Sequence, residues 1–132
     1  ELPFPPSINH YYGTRVCGRK AIKYIAERGK QFREDVITVA LMTRAQHRLQ
    51  GPLASRVILF PPDHRTRDLD NFAGKALYDA LTHAKIYGDD SQVREMHHLW
   101  GAVKAGGMCI VELRPLAGEQ SAHNQIDMMV AL

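Results

Sequence analysis

The alternation of apolar patterns along the 132-residue chain predicts a small single-domain protein of the α/β (α+β) class. From residue 29 to about residue 49, apolar side chains recur at the three- and four-residue spacing of an amphipathic helix. A second stripe of this kind covers residues 73–84. Two aliphatic and β-branched runs, Leu53–Phe60 and residues 108–113, are typical of buried strands. Helices and strands are therefore expected to share one hydrophobic core.

The composition is that of an ordinary globular protein, with 45% apolar and 23% charged residues. No apolar run approaches the roughly 20 residues that a membrane-spanning helix requires, and no secretory leader is visible. Cys17 and Cys109 lie far apart in the sequence, which favours free thiols over a disulfide. We therefore expect a cytoplasmic protein with no membrane partner.

The amino-terminal segment is rich in proline and tyrosine. Residues 2–4 fit a short edge strand, because prolines are tolerated at strand edges and ends. The Pro5-Pro6 pair predicts a rigid turn. Tyr11 and Tyr12 either cover the hydrophobic core or stack on bases or sugars, and both roles are compatible with the sequence.

A hairpin is predicted next, with its turn near Gly18. Its strands are residues 16–17 and 21–25, and basic side chains lie on its exposed side. These basic residues are Arg15, Arg19, Lys20 and Lys23. A basic hairpin can lie along a phosphate backbone, or it can be an ordinary solvated loop.

The longest helical pattern follows the hairpin and runs from residue 29 to about residue 49. Apolar or small side chains at spacings of three and four residues form its expected buried stripe, which consists of Phe32, Val36, Val39, Ala40 and Thr43. Gly51-Pro52 is a strong helix-breaking pair, so the helix is expected to end before it.

The strand Leu53–Phe60 precedes a sharp change in charge. Pro61-Pro62 ends the strand, and a basic loop with Arg65 and Arg67 follows. Residues 15–67 contain twelve Lys/Arg and four acids, whereas residues 68–90 contain five acids and two lysines. A basic region attracts a polyanion such as nucleic acid, and an adjacent acidic pocket retains a cation. The two together favour a metal-dependent enzyme that acts on a polyanion.

Asp68 and Asp70 open the acidic stretch. We expect residues 68–70 to be extended, with both carboxylates on one side, and Asp70 or Asn71 to cap the helix that follows. The buried stripe of that helix is expected to consist of Ala73, Leu77, Ala80, Leu81 and Ala84. Lys75 lies on the opposite, polar face together with Asp79, where the two residues could also form a routine surface ion pair.

A second carboxylate pair, Asp89-Asp90, follows this helix. We expect an extended segment from this pair through residue 93 toward residue 100, and residues 108–113 to form a final strand paired with it. His97 and His98 are neighbours on this segment. They therefore point to opposite faces and are not expected to share a metal ion.

Asp68, Asp70 and Asp90 are candidate ligands of one divalent cation, with Lys75 beside it. Clustered carboxylates repel each other unless a cation neutralises them. Hard oxygen ligands favour Mg²⁺, with Mn²⁺ as a substitute, over zinc. Lys75 would then orient water or stabilise negative charge on a phosphodiester. The pattern predicts a metal-dependent phosphodiesterase, while a calcium-type structural site and simple surface carboxylates are the alternatives.

The motif RDLDN, the lysine after it, DAL and then DDSQV together resemble the RusA family of Holliday junction resolvases. The opening LPFPPSINHYY is similar to the proline-rich start of that family, and the likeness covers residues 2–114. The resemblance implies a small mixed β-sheet packed with two main helices, a homodimer, and Mg²⁺-dependent paired nicking of four-way DNA junctions. It also implies that Asp68, Asp70 and Asp90 are catalytic metal ligands, that Asp89 supports them, and that Lys75 is the catalytic lysine.

The expected organisation is a nuclease domain at residues 1–116 and a carboxy-terminal tail at residues 117–132, either disordered or packed on a partner. A resolvase of this kind is expected in the cytoplasm at the nucleoid, encoded by a bacterium or a phage, in recombination and repair. The side chains expected to bind branched DNA are Arg15, Arg19, Lys20, Lys23, Arg65 and Arg67.

One departure from the family pattern concerns the lysine. In the family it follows the second aspartate of the D-x-D motif by four residues, whereas Lys75 follows Asp70 by five. One extra residue rotates a side chain by about 100° on a regular helix, so we expect a helical bulge near Gly74. Two other functions fit the same sequence: a branched-DNA-binding protein that does not cleave, and a metal nuclease for flaps or forks.

Overall fold

The computed structural model describes residues 1–116 and 130–132 and has an α+β architecture with two β-sheets. The described elements, in chain order, are α1 (Ile8–Tyr11), β1 (Tyr12–Cys17), β2 (Lys20–Ile25), α2 (Glu27–Met42), β3 (Leu53–Phe60), α3 (Leu69–Ala73), α4 (Lys75–His83), a 3₁₀ helix (Asp90–Gln92), β4 (Val93–Trp100), β5 (Met108–Pro115) and β6 (Val130–Ala131). The predicted mixture of helices and strands is confirmed, but two sheets are present where one was predicted. Among these described segments, no helix combines the length and apolarity that crossing a membrane demands.

The larger sheet has four strands in the order β4-β3-β5-β6. β3 pairs in parallel with β4 and antiparallel with β5. A parallel pair requires a crossover connection, and α3 and α4 lie in that connection. The prediction that residues 108–113 pair with the strand after residue 93 is wrong, because β3 lies between them. The central position of β3 allows the apolar side chains of Leu53, Val57 and Leu59 to be completely buried.

The two ends of this sheet differ. In the described residues β4 pairs with β3 alone, and Met96, Leu99 and Trp100 keep 50%, 44% and 39% of their surface exposed. At the opposite end β6 pairs with β5, and Val130 and Leu132 are buried in the core of the same chain. Residues 117–129, which make up most of the expected tail, lie outside the described residues. The expected division into a domain and a tail therefore stays a prediction.

The hairpin β1–β2 forms the second sheet by itself. Its turn contains Gly18 at φ +62°, a conformation that glycine adopts without the steric cost of a Cβ atom. At its base, Tyr12 and Ile25 pack against the core. The predicted hairpin and its turn are confirmed.

The helix α2 covers Glu27–Met42, so the prediction that it continues to about residue 49 is wrong. Arg44 and His47 have φ values of +53° and +59°, which no right-handed helix accommodates. Ala45 and Leu49 are nevertheless buried. The apolar spacing thus continues past the end of the helix into an irregular segment, which explains the error. Of the predicted stripe, Phe32, Val36 and Ala40 are buried, and Val39 is partly buried against the core. Thr43, the C-cap residue, is exposed, so its predicted burial is wrong.

The second predicted helix is divided at Gly74 into α3 and α4. Gly74 has φ −94° and ψ −146°, so the helix is interrupted at the position where a bulge was expected. All five residues of the predicted buried stripe are fully buried: Ala73, Leu77, Ala80, Leu81 and Ala84. This packing fixes the face on which Lys75 is exposed.

The start of α3 differs from the prediction. Asp68 is extended, but residues 69–73 are helical, so the expectation of an extended segment at residues 68–70 is wrong. Asp68 occupies the N-cap position without a side-chain cap hydrogen bond, and neither Asp70 nor Asn71 is the cap. Leu69 and Phe72 pack against the core at helical spacing, which favours the earlier helix start.

Candidate active site

Lys75 is the first residue of α4, and its ammonium group contacts two carboxylates. Its Nζ atom lies 3.0 Å from Oδ1 of Asp79, one helical turn later, and 3.6 Å from Oδ2 of Asp90 in the 3₁₀ helix. The Lys75 side chain remains 61% exposed. The hydrogen bond with Asp79 and its negative charge raise the pKa of Lys75, which favours the ammonium form. The structure therefore brings together Lys75 and Asp90, two of the predicted site residues.

Asp89 shapes the turn that presents Asp90. It caps the 3₁₀ helix, and the Ser91 hydroxyl donates a hydrogen bond of 2.6 Å to its Oδ2 atom. This bond lowers the pKa of Asp89. Oε1 of Gln92 accepts hydrogen bonds from the backbone N–H groups of Gly88 and Asp89. The expectation of an extended segment from Asp89 onward is therefore wrong for residues 90–92, and β4 begins after them.

Lys75, Asp79, Asp89 and Asp90 line one open concavity of about 370 Å³. Its lining side chains are Arg33, Lys75, Asp79, Thr82, His83, Asp89 and Asp90. Lysine and arginine bind phosphate oxygens, whereas carboxylates bind hard cations. The mixture of the two suits a phosphodiester together with a divalent ion.

Asp68 and Asp70 lie at the start of α3, and both are exposed. Neither lines the concavity that contains Asp90. Within residues 1–116 and 130–132, the structure contains no group of three or more His, Cys, Asp or Glu side chains that could hold a metal ion. Asp68, Asp70 and Asp90 thus do not form a three-ligand cluster within one protomer, and their assignment as metal ligands stays a prediction.

Asp79 has a second partner from a distant part of the chain. The hydroxyl of Tyr12, the first residue of β1, donates a hydrogen bond to Oδ2 of Asp79. Burial and this hydrogen bond raise the pKa of Tyr12. The Tyr12 ring packs edge-on against Tyr11, with 4.6 Å between the ring centroids. Tyr11 is completely buried and covers the core, while Tyr12 reaches the candidate site.

Comparison with known proteins identifies the family. Residues 3–108 match the family model of endodeoxyribonuclease RusA. The chain belongs to the RusA family. It is 33% identical over 115 residues to the crossover junction endodeoxyribonuclease of Enterobacteria phage HK97, with 87% of this chain and 92% of the relative covered. It is 32% identical to the corresponding protein of Shigella sonnei and 31% identical to that of Escherichia coli K12, each over 118 residues that cover 89% of this chain and 94% of the relative. These matches confirm the predicted family and the predicted class of structure-specific endodeoxyribonuclease.

The hairpin of this RusA-family chain presents the predicted DNA-binding side chains to solvent. Its exposed basic residues are Arg15, Arg19, Lys20 and Lys23. Nζ of Lys23 lies 3.9 Å from the centroid of the Tyr12 ring. The basic surface of the hairpin therefore reaches the same tyrosine that binds Asp79.

The two arginines of the loop before α3 have different environments. Arg65 is exposed, and its Nε atom lies 3.6 Å from Asp63. Arg67 is only 14% exposed, with a contact of 2.8 Å to Asp63 and its guanidinium 5.9 Å from the centroid of the Phe4 ring. The backbone N–H of Arg65 and the side chain of Arg67 lower the pKa of Asp63. Arg67 thus stabilises the loop, whereas Arg65 faces solvent.

The sequence did not predict two contacts of this RusA-family site, those of Tyr12 with Asp79 and of Arg33 with Tyr11, or the role of Asp79. Tyr12 is 67 residues from Asp79, so no local pattern connects them. Arg33 donates a hydrogen bond of 2.5 Å to the Tyr11 hydroxyl and lines the concavity. The four-residue spacing of Lys75 and Asp79 was visible, but it indicated only a surface pair. The hydrogen bond from Tyr12 to Oδ2 of Asp79 forms only in the folded chain, so the sequence did not indicate it.

Proposed function

We propose that the protein is a Mg²⁺-dependent endonuclease that resolves four-way DNA junctions by paired symmetric nicks in recombination and repair. The observation that supports this most directly is the contact of 3.6 Å between the Lys75 ammonium and the Asp90 carboxylate in a chain of the RusA family. The relatives from phage HK97 and Shigella sonnei are named crossover junction endodeoxyribonucleases. Lys75 is exposed enough to meet a phosphate, where its charge would stabilise the transition state.

We further propose Mg²⁺, with Mn²⁺ as a substitute, as the cofactor. Its protein ligands would be Asp68, Asp70 and Asp90, with Asp89 in support, because hard carboxylate oxygens fit these ions. Mg²⁺ commonly takes one or two carboxylates from the protein and completes its shell with substrate phosphates and water. The chain therefore does not need three gathered carboxylates before DNA binds. When bound, the ion would activate water and neutralise charge on the phosphodiester.

The basic hairpin is the proposed DNA-binding surface. Arg15, Arg19, Lys20 and Lys23 would contact phosphates, since phosphate contacts position a protein on branched DNA without reading its sequence. Arg65 would extend this surface beside α3, and Arg67 would support it by holding the loop in place. Because Tyr12, the first residue of the hairpin, contacts Asp79, DNA bound along the hairpin would lie near the concavity that contains Lys75.

We propose that the protein acts as a homodimer. Clean resolution requires cuts in two strands of like polarity, and two identical sites related by a twofold axis supply that symmetry. The relatives are encoded by bacteria and phages. The proposed place of action is accordingly the bacterial nucleoid.

The test is cleavage of a synthetic four-way junction with a mobile core, labelled on each strand in turn, in the presence of Mg²⁺. We expect paired symmetric nicks that DNA ligase can seal. Asp90→Asn and Asp70→Asn should abolish nicking but retain junction binding, because they remove ligand charge and leave the basic hairpin unchanged. Glu27→Gln is a matched control, since it neutralises an exposed carboxylate in a surface pair with Lys30.

Three outcomes contradict the proposal. Binding without cleavage at any Mg²⁺ concentration would indicate a branched-DNA-binding protein. Faster cleavage of flaps or forks than of four-way junctions would indicate a nuclease with another substrate. Undiminished cleavage with a chelator present would show that the reaction does not require a metal ion.

A further inference from the structure

The contact between Lys75 and Asp79 differs from an ordinary ion pair on a helix surface. Lysine has a flexible four-carbon stem, and an exposed pair four residues apart does little to hold it in one place. Asp79, however, is only 21% exposed, and its contact with Lys75 is shorter than that of Asp90, at 3.0 Å against 3.6 Å. Asp79 is therefore the partner that determines the position of the ammonium group.

Asp79 is itself fixed by Tyr12. The tyrosine hydroxyl occupies Oδ2 of Asp79, so Oδ1 is left for Lys75. The Tyr12 ring rests on the buried ring of Tyr11, whose hydroxyl accepts a hydrogen bond from Arg33. The carboxylate is thus held from the side of the core, and a solvated surface pair has no such support.

We propose that Asp79, anchored by Tyr12, is a positioning residue that holds the Lys75 ammonium group beside Asp90 for the cleavage reaction. This inference rests on the proposed nuclease function and assigns Asp79 no direct contact with DNA or metal. It also connects the basic hairpin to the reaction, because Tyr12 is the first residue of β1 and Lys23 lies over its ring.

The principal test is Asp79→Asn, which removes the charge and keeps the shape and an oxygen that Tyr12 can reach. The junction is first bound without metal, and Mg²⁺ is then added to measure a single round of cleavage. We expect the cleavage rate to fall about 10- to 100-fold, because displacement of a catalytic group by about 1 Å can cost that much. Junction affinity and thermal stability should stay close to those of the wild type.

Tyr12→Phe provides a second variant that keeps the ring and loses only the hydroxyl. It should lower the same rate by a smaller factor, and Glu27→Gln should leave the rate unchanged. In a double-mutant cycle, Asp79→Asn should cause no further loss when Lys75 is already alanine, since the two residues then act as one unit. Each single variant also shows by itself whether the cleavage rate changes while junction affinity does not. The inference can therefore be tested even if the double variant cleaves too slowly to measure.

Two results would overturn the inference: a wild-type rate in both Asp79→Asn and Tyr12→Phe, or equal losses from Asp79→Asn with and without Lys75. If Asp79→Asn fails to fold, Tyr12→Phe decides by the same readout. Failure of the wild-type protein to nick any junction is a different result, because it contradicts the proposed function itself. Cleavage by the wild type with undiminished cleavage by the variants contradicts only the positioning role.

Discussion

Replacement of Gly74 by alanine tests the geometry that links α3 to Lys75. A Cβ atom at this position would lie 2.4 Å from the backbone carbonyl oxygen of Asp70. Carbon–oxygen contacts are normally about 3.3 Å or longer, so the backbone must move by about 1 Å. Overpacking of this kind costs about 1–3 kcal/mol, and stiffening of the unfolded chain offsets about 0.4–1 kcal/mol of it. At the middle of these ranges we expect a net loss of about 1.3 kcal/mol, which lowers Tm by about 5 °C in a domain of this size.

The same shift moves Asp70 or Lys75, one on each side of Gly74. Single-turnover cleavage should therefore slow by about 10- to 100-fold, and circular dichroism during heating gives the change in stability. Met42→Ala is the control for stability, because this side chain is 80% exposed and its loss should change Tm little. A Gly74→Ala protein with wild-type Tm would refute the close approach. A lowered Tm with an unchanged cleavage rate would refute the dependence of Lys75 on the break between α3 and α4.

Three further predictions concern the core, the thiols and the basic hairpin. Leu81→Ala should destabilise the protein by about 2–5 kcal/mol in urea titrations, because Leu81 is fully buried in α4. Met42→Ala, at a residue that is 80% exposed, should change stability by less than about 0.5 kcal/mol. Burial raises the pKa of Cys109 to about 12. A thiol reagent at pH 8 should therefore label the exposed Cys17 in the native protein and Cys109 only after unfolding. Equal labelling of both thiols in the native protein would contradict the burial of Cys109. Lys20→Gln should weaken junction binding and reduce the slope of log affinity against log salt by about one unit, whereas a binding constant independent of salt would exclude phosphate contacts by the hairpin.

Elements bounded by strong local signals could be predicted residue by residue. β3 is rich in aliphatic and β-branched residues and lies between Gly51-Pro52 and Pro61-Pro62, and it begins and ends where expected. The buried stripe from Ala73 to Ala84, which runs from α3 through α4, was also predictable, because five apolar residues repeat at helical spacing. The end of α2 was not, since Ala45 and Leu49 are buried outside any helix and continue the same spacing.

Properties that depend on distant partners could not be predicted in this way. Nothing in residues 108–113 specifies that β3, and not β4, is the neighbouring strand. The start of α3 was missed because Leu69 and Phe72 find core partners that only the folded chain provides. At the site, the spacing of Lys75 and Asp79 is local, whereas Tyr12 is 67 residues away from Asp79 in the sequence. The proposal that Asp68 and Asp70 join Asp90 at a metal ion is tested by the cleavage assays of the Asp70→Asn and Asp90→Asn variants.

The exposed edge of the larger sheet has a practical consequence. In the described residues β4 offers one row of backbone N–H and C=O groups to an incoming strand, beside exposed Met96 and Trp100. An extended peptide with alternating apolar residues can add to such an edge by backbone hydrogen bonding. A synthetic peptide designed against β4 would thus recognise main chain rather than catalytic side chains, and substitutions among the aspartates would not weaken its binding.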